Sequence, residues 1–156
     1  MAVRRMDKRA SENKYLHRDF HISADKGLRY VAEKYGDDGV KEYLQTFAAR
    51  YYAPLIGDIK SNGLSAVAEH LKSVYFIEEA PDALELSLTD NRLDVHVLYS
   101  PAIRYMNKAC YTPSRWYAEQ TRTVFGTVAD LASISFVMTA YNEKTGEAEY
   151  SFSKIV

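Results

Sequence analysis

The chain has 156 residues, of which 47% are hydrophobic and 13% aromatic, so its length and composition predict a globular protein about one domain long. Twenty basic side chains are balanced by twenty-one acidic ones. This balance excludes the broad positive field of a non-specific nucleic-acid-binding protein. No hydrophobic run reaches the length that a membrane span requires. The lone Cys110 excludes an intramolecular disulfide and a cysteine-based zinc cluster, and it favours a reducing cytoplasm.

The N-terminal residues differ in composition from the rest of the chain. Residues 1–14 carry five basic side chains and no hydrophobic core, so they predict a flexible basic tail and not a secretory signal. Residues 15–156 are expected to form a single α+β domain. The first helix is predicted from about Tyr15 to Tyr35, with Gly36 at its C-terminal end. Its apolar stripe consists of Leu16, Phe20, Ala24, Gly27, Val31 and Tyr35.

Two further helices are predicted before the first strand. Asp37 or Asp38 is expected to cap the second, which Pro54 either kinks or divides after Tyr52. Gly63 ends it. A third helix then carries a leucine- and valine-rich stripe toward the core: Leu64, Val67, Leu71 and Val74.

After Pro81 the hydrophobic period changes from helical to two, which predicts strands. Leucines and valines alternate with polar residues on both sides of the turn TDN, which predicts a first hairpin. A second hairpin is predicted across NEKTG, where Phe136, Met138 and Ala140 pair with Ala148, Tyr150 and Phe152. Between these two hairpins we expect a loop containing SPAIRYMNKACY, and then a fourth helix with Thr112 as N-cap, Pro113 in its first turn and its end near Ala132. The order predicts N-terminal helices followed by hairpin–helix–hairpin, an antiparallel sheet packed by helices.

The segment YLHRDFHISAD places His17, His21 and Asp25 along one flank of the first helix. Histidines four residues apart can share a metal, so His17 and His21 are candidate ligands for a divalent ion such as Mn or Zn. Arg18 stands where a zincin requires glutamate, which disfavours that class of metalloprotease. Without a metal, Asp25 would hold an imidazole N–H and leave His21 as a general base. The alternative, boundary residues hydrogen-bonded to their neighbours, stays open.

Five other residues are candidates for a site. Ser100 and Arg104 follow the first hairpin, where a hydroxyl nucleophile and a clamp for a carboxylate would be held by the sheet. Tyr52 is a candidate pocket hydroxyl. Gln120 is either a pocket-lining group or a buried amide in a polar network. Arg122 on the same helix is a candidate substrate contact, although arginine is more often a surface charge.

Four stretches, LHRDFHISADKGLRYVAEKYG, VKEYLQTFAARYYAPLI, SPAIRYM and WYAEQTRTVFGTVAD, together resemble the L-2-amino-thiazoline-4-carboxylic acid hydrolase family, which has many small bacterial and archaeal members. The resemblance extends from about Tyr15 to Phe152 and implies ring-opening hydrolysis of a small C–N heterocyclic carboxylic acid. It implies catalysis by His21, His17, Asp25 and Ser100, and substrate binding by Arg104, Tyr52, Gln120 and Arg122. Family members tend to have cysteine where this chain has Ser100 before Pro101, and an alcohol is harder to deprotonate than a thiol.

The order of elements is also similar to the small ligand-binding domains of the vinyl-reductase and haem/nitric-oxide-binding superfamily. That similarity implies a non-catalytic domain that holds an apolar or haem-like ligand, and a homodimer. A dimeric interaction protein is a third possibility. The expected partner is a small-molecule substrate or ligand, with no nucleic acid and no membrane.

Overall fold

The computed structural model describes residues 14–156, and their side chains from residue 20 onward. The predicted basic tail lies outside the described residues, apart from Lys14, at which the first helix begins. The side chain of His17 also lies outside the described part. Within that part, no helix combines the length and the apolar character that crossing a bilayer requires.

Five α-helices and four strands make up the described chain. The helices are α1 (Lys14–Tyr51), α2 (Ala53–Asn62), α3 (Leu64–Ile77), α4 (Pro101–Lys108) and α5 (Glu119–Ala132). The strands are β1 (Leu84–Leu88), β2 (Arg92–Val97), β3 (Ile134–Tyr141) and β4 (Ala148–Lys154). Two short 3₁₀ helices, Pro81–Ala83 and Arg115–Ala118, precede β1 and α5.

Glycine and proline divide the N-terminal helices where the sequence predicts it. Gly36 interrupts α1 with a φ of 70°, a left-handed conformation that glycine adopts without a Cβ clash. Pro54 lies in the first turn of α2, where a backbone N–H would have no intrahelical acceptor, so its missing N–H costs no hydrogen bond. The chain turns at Tyr52 between α1 and α2. Gly63, with a φ of 71°, separates α2 from α3.

The strands form one antiparallel sheet in the order β1-β2-β4-β3. Leu86 pairs with Val95 in the first hairpin, and Phe136 pairs with Phe152 in the second. On the inner face, Phe152 is fully buried against the rings of Phe125 and Phe136. Helix α5 packs on β3, α3 packs on β1, and α1 packs on α5. The predicted α+β fold is confirmed.

Helix α1 buries a different face from the one its apolar stripe predicts. Phe20 and Tyr35 are 58% and 72% exposed, whereas Asp25 and Leu28 are 0% and 2% exposed. The polar flank can turn inward because partners from α3 and from residues 111–117 satisfy its hydrogen bonds. A buried polar group with such partners does not oppose folding as an unpaired one would.

The connection between the two hairpins also differs from its prediction. The segment expected to be a loop contains α4, a helix of eight residues whose N-cap is Ser100. Thr112 and Pro113 do not begin a helix, because the chain there is irregular until the 3₁₀ helix at Arg115. The predicted end is confirmed: α5 ends at Ala132, followed by Ser133 in a left-handed conformation with a φ of 60°.

Candidate active site

The imidazole of His21 lies between a carboxylate and a phenol. Its Nε2 is 3.1 Å from Oε1 of Glu78, and its Nδ1 is 3.5 Å from the hydroxyl of Tyr117. The side chains of His21 and Glu78 are only 13% and 8% exposed. Glu78 terminates α3, and Tyr117 lies in the 3₁₀ helix before α5, so three separate elements converge here.

Tyr75 and Tyr141 lie near Tyr117 and Glu78. We call these residues the His21 cluster: His21, Glu78, Tyr75, Tyr117 and Tyr141. Burial, reinforced by the charge of Glu78, raises the pKa of Tyr75 and that of Tyr117. Burial also raises the pKa of Tyr141 to about 12. All three phenols are therefore protonated at neutral pH, and each can donate a hydrogen bond.

Asp25, one turn after His21, has partners of its own. Its Oδ1 accepts a 2.6 Å hydrogen bond from Ser114 Oγ, and both of its oxygens accept from the Ser114 amide at 3.1 and 3.0 Å. Tyr111 and Arg29 donate to Oδ2 at 2.7 and 3.1 Å. The carboxylate beside His21 is thus Glu78, and the hypothesis that Asp25 orients the imidazole is corrected.

The geometry instead makes Asp25 a tie between α1 and the segment that carries Tyr117. Arg29 strengthens this tie by donating to the carbonyl of Thr112 at 2.7 Å. Farther along α1, Asp37 accepts from Trp116 Nε1 at 2.7 Å and from Arg115 at 3.0 Å. Asp25 thus holds Ser114, just before the 3₁₀ helix, and Asp37 holds the first two residues of that helix. Together these contacts position Tyr117 relative to His21.

Ser100 has a structural role in this fold. Its Oγ accepts a 3.3 Å hydrogen bond from the amide of Ile103 as the N-cap of α4. Its backbone amide donates to the carbonyl of Thr145 at 2.9 Å. Gly146, with a φ of 71°, lies so close that a Cβ there would be 2.3 Å from the Cβ of Ser100. The cap and this close packing account for a small hydroxyl residue at position 100.

We expect Ser100→Ala to lower the free energy of unfolding by about 1 kcal/mol, because the first turn of α4 loses its cap. Urea denaturation measures this loss. Ser61→Ala is the matched control, since its hydroxyl bonds only the carbonyl of Gly57 on the exposed face of α2, and a change within about 0.5 kcal/mol is expected there. Equal stability of Ser100→Ala and the wild type would contradict the capping role.

The predicted substrate-binding residues occupy different places. Arg104 is exposed and lies over the ring of Tyr99, 3.5 Å from its centroid. Arg122 pairs with Glu119 on α5, and its positive charge opposes the burial that raises the pKa of Tyr141. Gln120 is half-buried on the same helix.

Tyr52 lies away from these residues, in a groove of about 1030 Å³ between α2 and α3. Its ring makes an edge contact with His70 at 5.6 Å. The sequence indicates a surface position for His70, whereas the structure half-buries it in this groove. A smaller groove of about 390 Å³ crosses the outer face of the sheet, where His96 is 3.2 Å from Glu85.

A metal site is the remaining expectation from the HRDFH segment. Among residues 20–156, no group of three or more His, Cys, Asp or Glu side chains is arranged to hold an ion. His21 and Glu78 are two potential donors, fewer than the three protein ligands of a catalytic zinc site. A third ligand would have to come from the undescribed part, where the side chain of His17 lies.

Sequence reasoning missed Glu78 and Tyr117. A signal was present for the first, because Glu78 and Glu79 close α3, where the negative end of the helix dipole disfavours carboxylates. An acidic pair at that end indicates a partner elsewhere in the fold, which for Glu78 is His21. Tyr117 carries no comparable signal, since a tyrosine near an apolar stripe reads as core.

Comparison with protein-family models gives no match, and comparison with curated proteins gives none either. The fold and the site define the class: an α+β protein in which a largely buried histidine–glutamate pair lies beside the hydroxyl of a buried tyrosine.

Proposed function

We propose that the protein is a hydrolase that opens the ring of a small C–N heterocyclic carboxylic acid, as the sequence resemblance implies. The observation that carries this proposal is the placement of His21 between Glu78 at 3.1 Å and the Tyr117 hydroxyl at 3.5 Å. A histidine held by a carboxylate on one nitrogen is the usual arrangement of a general base.

The proposed roles follow from the hydrogen-bonding capacity of each group. With its Nε2–H donated to Glu78, His21 has a basic Nδ1, which takes a proton from an attacking water. The water oxygen bonds to the amidine carbon of the substrate while the C=N electron pair moves onto nitrogen, and protonated phenols such as Tyr117 donate to the negative charge that develops on that nitrogen. A ring bond of that carbon then breaks, and His21 returns the proton to the leaving heteroatom.

Asp25 is a positioning residue in this scheme, because its partners are Ser114, Tyr111 and Arg29. Arg122 is the better candidate for the substrate carboxylate, since its charge reaches Tyr141, whereas Arg104 stacks on Tyr99. Ser100 serves as a helix cap, so water and not serine is the proposed nucleophile.

The test is a mass-spectrometric assay with 2-amino-thiazoline-4-carboxylate, with and without manganese or zinc. The wild type should convert it to a product heavier by one water. His96→Gln is the matched control, since this histidine lies on the outer face of the sheet beside Glu85, and it should retain activity. A product that forms equally with His21→Gln, or that never forms, would refute the assignment.

Ligand binding without catalysis is the second candidate function, and the groove that contains Tyr52 supports it. The groove is open and partly polar, which suits a small polar ligand better than an apolar or haem-like one. Cytoplasmic location, proposed from the lone cysteine, applies to both candidates. So does a homodimer, for which the exposed Phe20, Tyr30 and Tyr35 of α1 are the candidate surface.

A further inference from the structure

The groove between α2 and α3 has a distinct chemical composition. It encloses about 1030 Å³, close to the upper end of the range for small-molecule sites. The end of α1 and the whole length of α2 form one side, and α3 forms the other. Its lining is Tyr51, Tyr52, Pro54, Leu55, Asp58, Asn62, Ser65, Ala66, Glu69, His70 and Ser73.

Three rings in this groove form two successive edge-to-face pairs. Tyr51 and Tyr52 meet at 79° with centroids 5.0 Å apart, and Tyr52 meets His70 at 86° and 5.6 Å. Phe47 stacks on Tyr51 at 5.0 Å and 16°, which holds that ring in place. Perpendicular rings form a corner, and their faces carry the negative part of the aromatic quadrupole.

The charges around the corner have one sign. Asp58 and Glu69 are the charged residues of the lining, which contains no lysine or arginine. Glu69 also holds Lys72 at 2.8 Å on the exposed side of α3, so Asp58 is the less neutralised of the two. Burial lowers the pKa of His70, which is therefore neutral at pH 7 and adds no positive charge.

Two polar groups face this groove without a protein partner. Burial raises the pKa of Tyr52 to about 12, so its hydroxyl is protonated. The side chains of Tyr52 and His70 contact each other through their rings, and neither makes a side-chain hydrogen bond within the described part of the chain. Each can therefore bond a ligand or its water.

We propose that this groove binds a small organic cation with an alkylated ammonium head group. The head group would sit in the aromatic corner, where cation–π attraction and the carboxylates of Asp58 and Glu69 act together. The hydroxyl of Tyr52 and the imidazole of His70 would bond a polar substituent of the ligand. The inference specifies the second candidate function, and it uses no residue of the His21 cluster.

Choline and its neutral isostere 3,3-dimethylbutan-1-ol separate charge recognition from shape. In a titration of ¹⁵N-labelled protein followed by NMR, choline should shift the amide signals of residues 51–58 and 65–73 saturably. The neutral alcohol should bind at least fivefold more weakly, because it lacks the charge that the rings and carboxylates attract. Equal binding of the two compounds, or the absence of saturable shifts in those residues, would overturn the proposal.

Single substitutions test whether choline binds in the groove between α2 and α3. Tyr51 is 61% exposed, so Tyr51→Leu should fold normally, and it should weaken choline binding roughly 2- to 5-fold, as expected for a solvent-accessible cation–π contact. Asp58→Asn should also weaken it. Asp90→Asn, in the exposed turn between β1 and β2, is the matched control and should bind like the wild type. Unchanged affinity in both groove variants would overturn the assignment. The ring-opening assay on the same samples reports independently on the His21 cluster.

Discussion

Replacement of Asp25 by alanine is expected to lower the free energy of unfolding by about 3–5 kcal/mol, because several buried donors each lose an acceptor at about 1–3 kcal/mol. The side chain is completely buried, and its two oxygens accept from the amide and hydroxyl of Ser114, from Tyr111 and from Arg29. Alanine leaves the buried Ser114 donors without an acceptor and removes the counter-charge of Arg29. Unsatisfied buried donors cost more than the hydrogen bonds themselves contribute.

Urea denaturation, followed by circular dichroism, measures this effect. Glu33→Ala is the matched control, since it removes an exposed carboxylate from the same helix and should change stability by less than about 0.5 kcal/mol. Asp25→Asn keeps the size of the side chain but places an NH₂ group against the Ser114 donors, so an intermediate loss is expected. A loss below about 1 kcal/mol for Asp25→Ala would show that Asp25 does not tie the two segments together.

Replacement of His21 by glutamine is expected to lower kcat of the proposed ring-opening reaction by roughly 10²- to 10⁴-fold, the usual contribution of a general base. Glutamine retains a hydrogen bond to Glu78 but cannot take a proton from water. The rates come from the mass-spectrometric assay, and circular dichroism checks that the variant is folded. Turnover within a factor of three of the wild type would remove His21 from the mechanism.

Glu78→Gln separates positioning from proton transfer. The amide can still contact Nε2 of His21, but it cannot stabilise the imidazolium that forms during the reaction. We expect a smaller fall in kcat than for His21→Gln, with KM little changed, because Glu78 contacts His21 and the proposed scheme gives it no contact with the substrate. A fall in stability with unchanged kcat would instead mean that the pair only joins α1 to α3.

The elements that could be predicted are those encoded by local patterns. Period-two alternation predicts both hairpins, and in the structure Leu86 lies opposite Val95 and Phe136 opposite Phe152. Gly36, Pro54 and Gly63 mark helix boundaries because their backbone limits act within one or two residues. The prediction for segment 100–118 was wrong because α4 and the 3₁₀ helix are short, and such elements have little periodicity to detect.

The site was predicted less completely. His21 and Asp25 stand out on any helical projection, but the partners of His21 are Glu78 and Tyr117, which lie 57 and 96 positions away in the sequence. Ser100 has the same sequence signature as a nucleophile and as a helix cap. Tyr52, Arg104 and Arg122 were placed in one substrate site because nothing in their spacing separates them, whereas the fold puts Tyr52 in the α2–α3 groove.

By itself, the sequence determined the N-terminal helix boundaries, the two hairpins with their antiparallel pairing and the helix between them that ends at Ala132, since these follow from periodicity and from backbone stereochemistry. Only the tertiary structure decided which face of α1 is buried, that Glu78 is the partner of His21, and that Asp25 holds Ser114. The physical reason is that a polar side chain is stable in the interior only with its partners in place. Those partners come from distant segments, and only the packing of α1 against α3 and α5 brings them together.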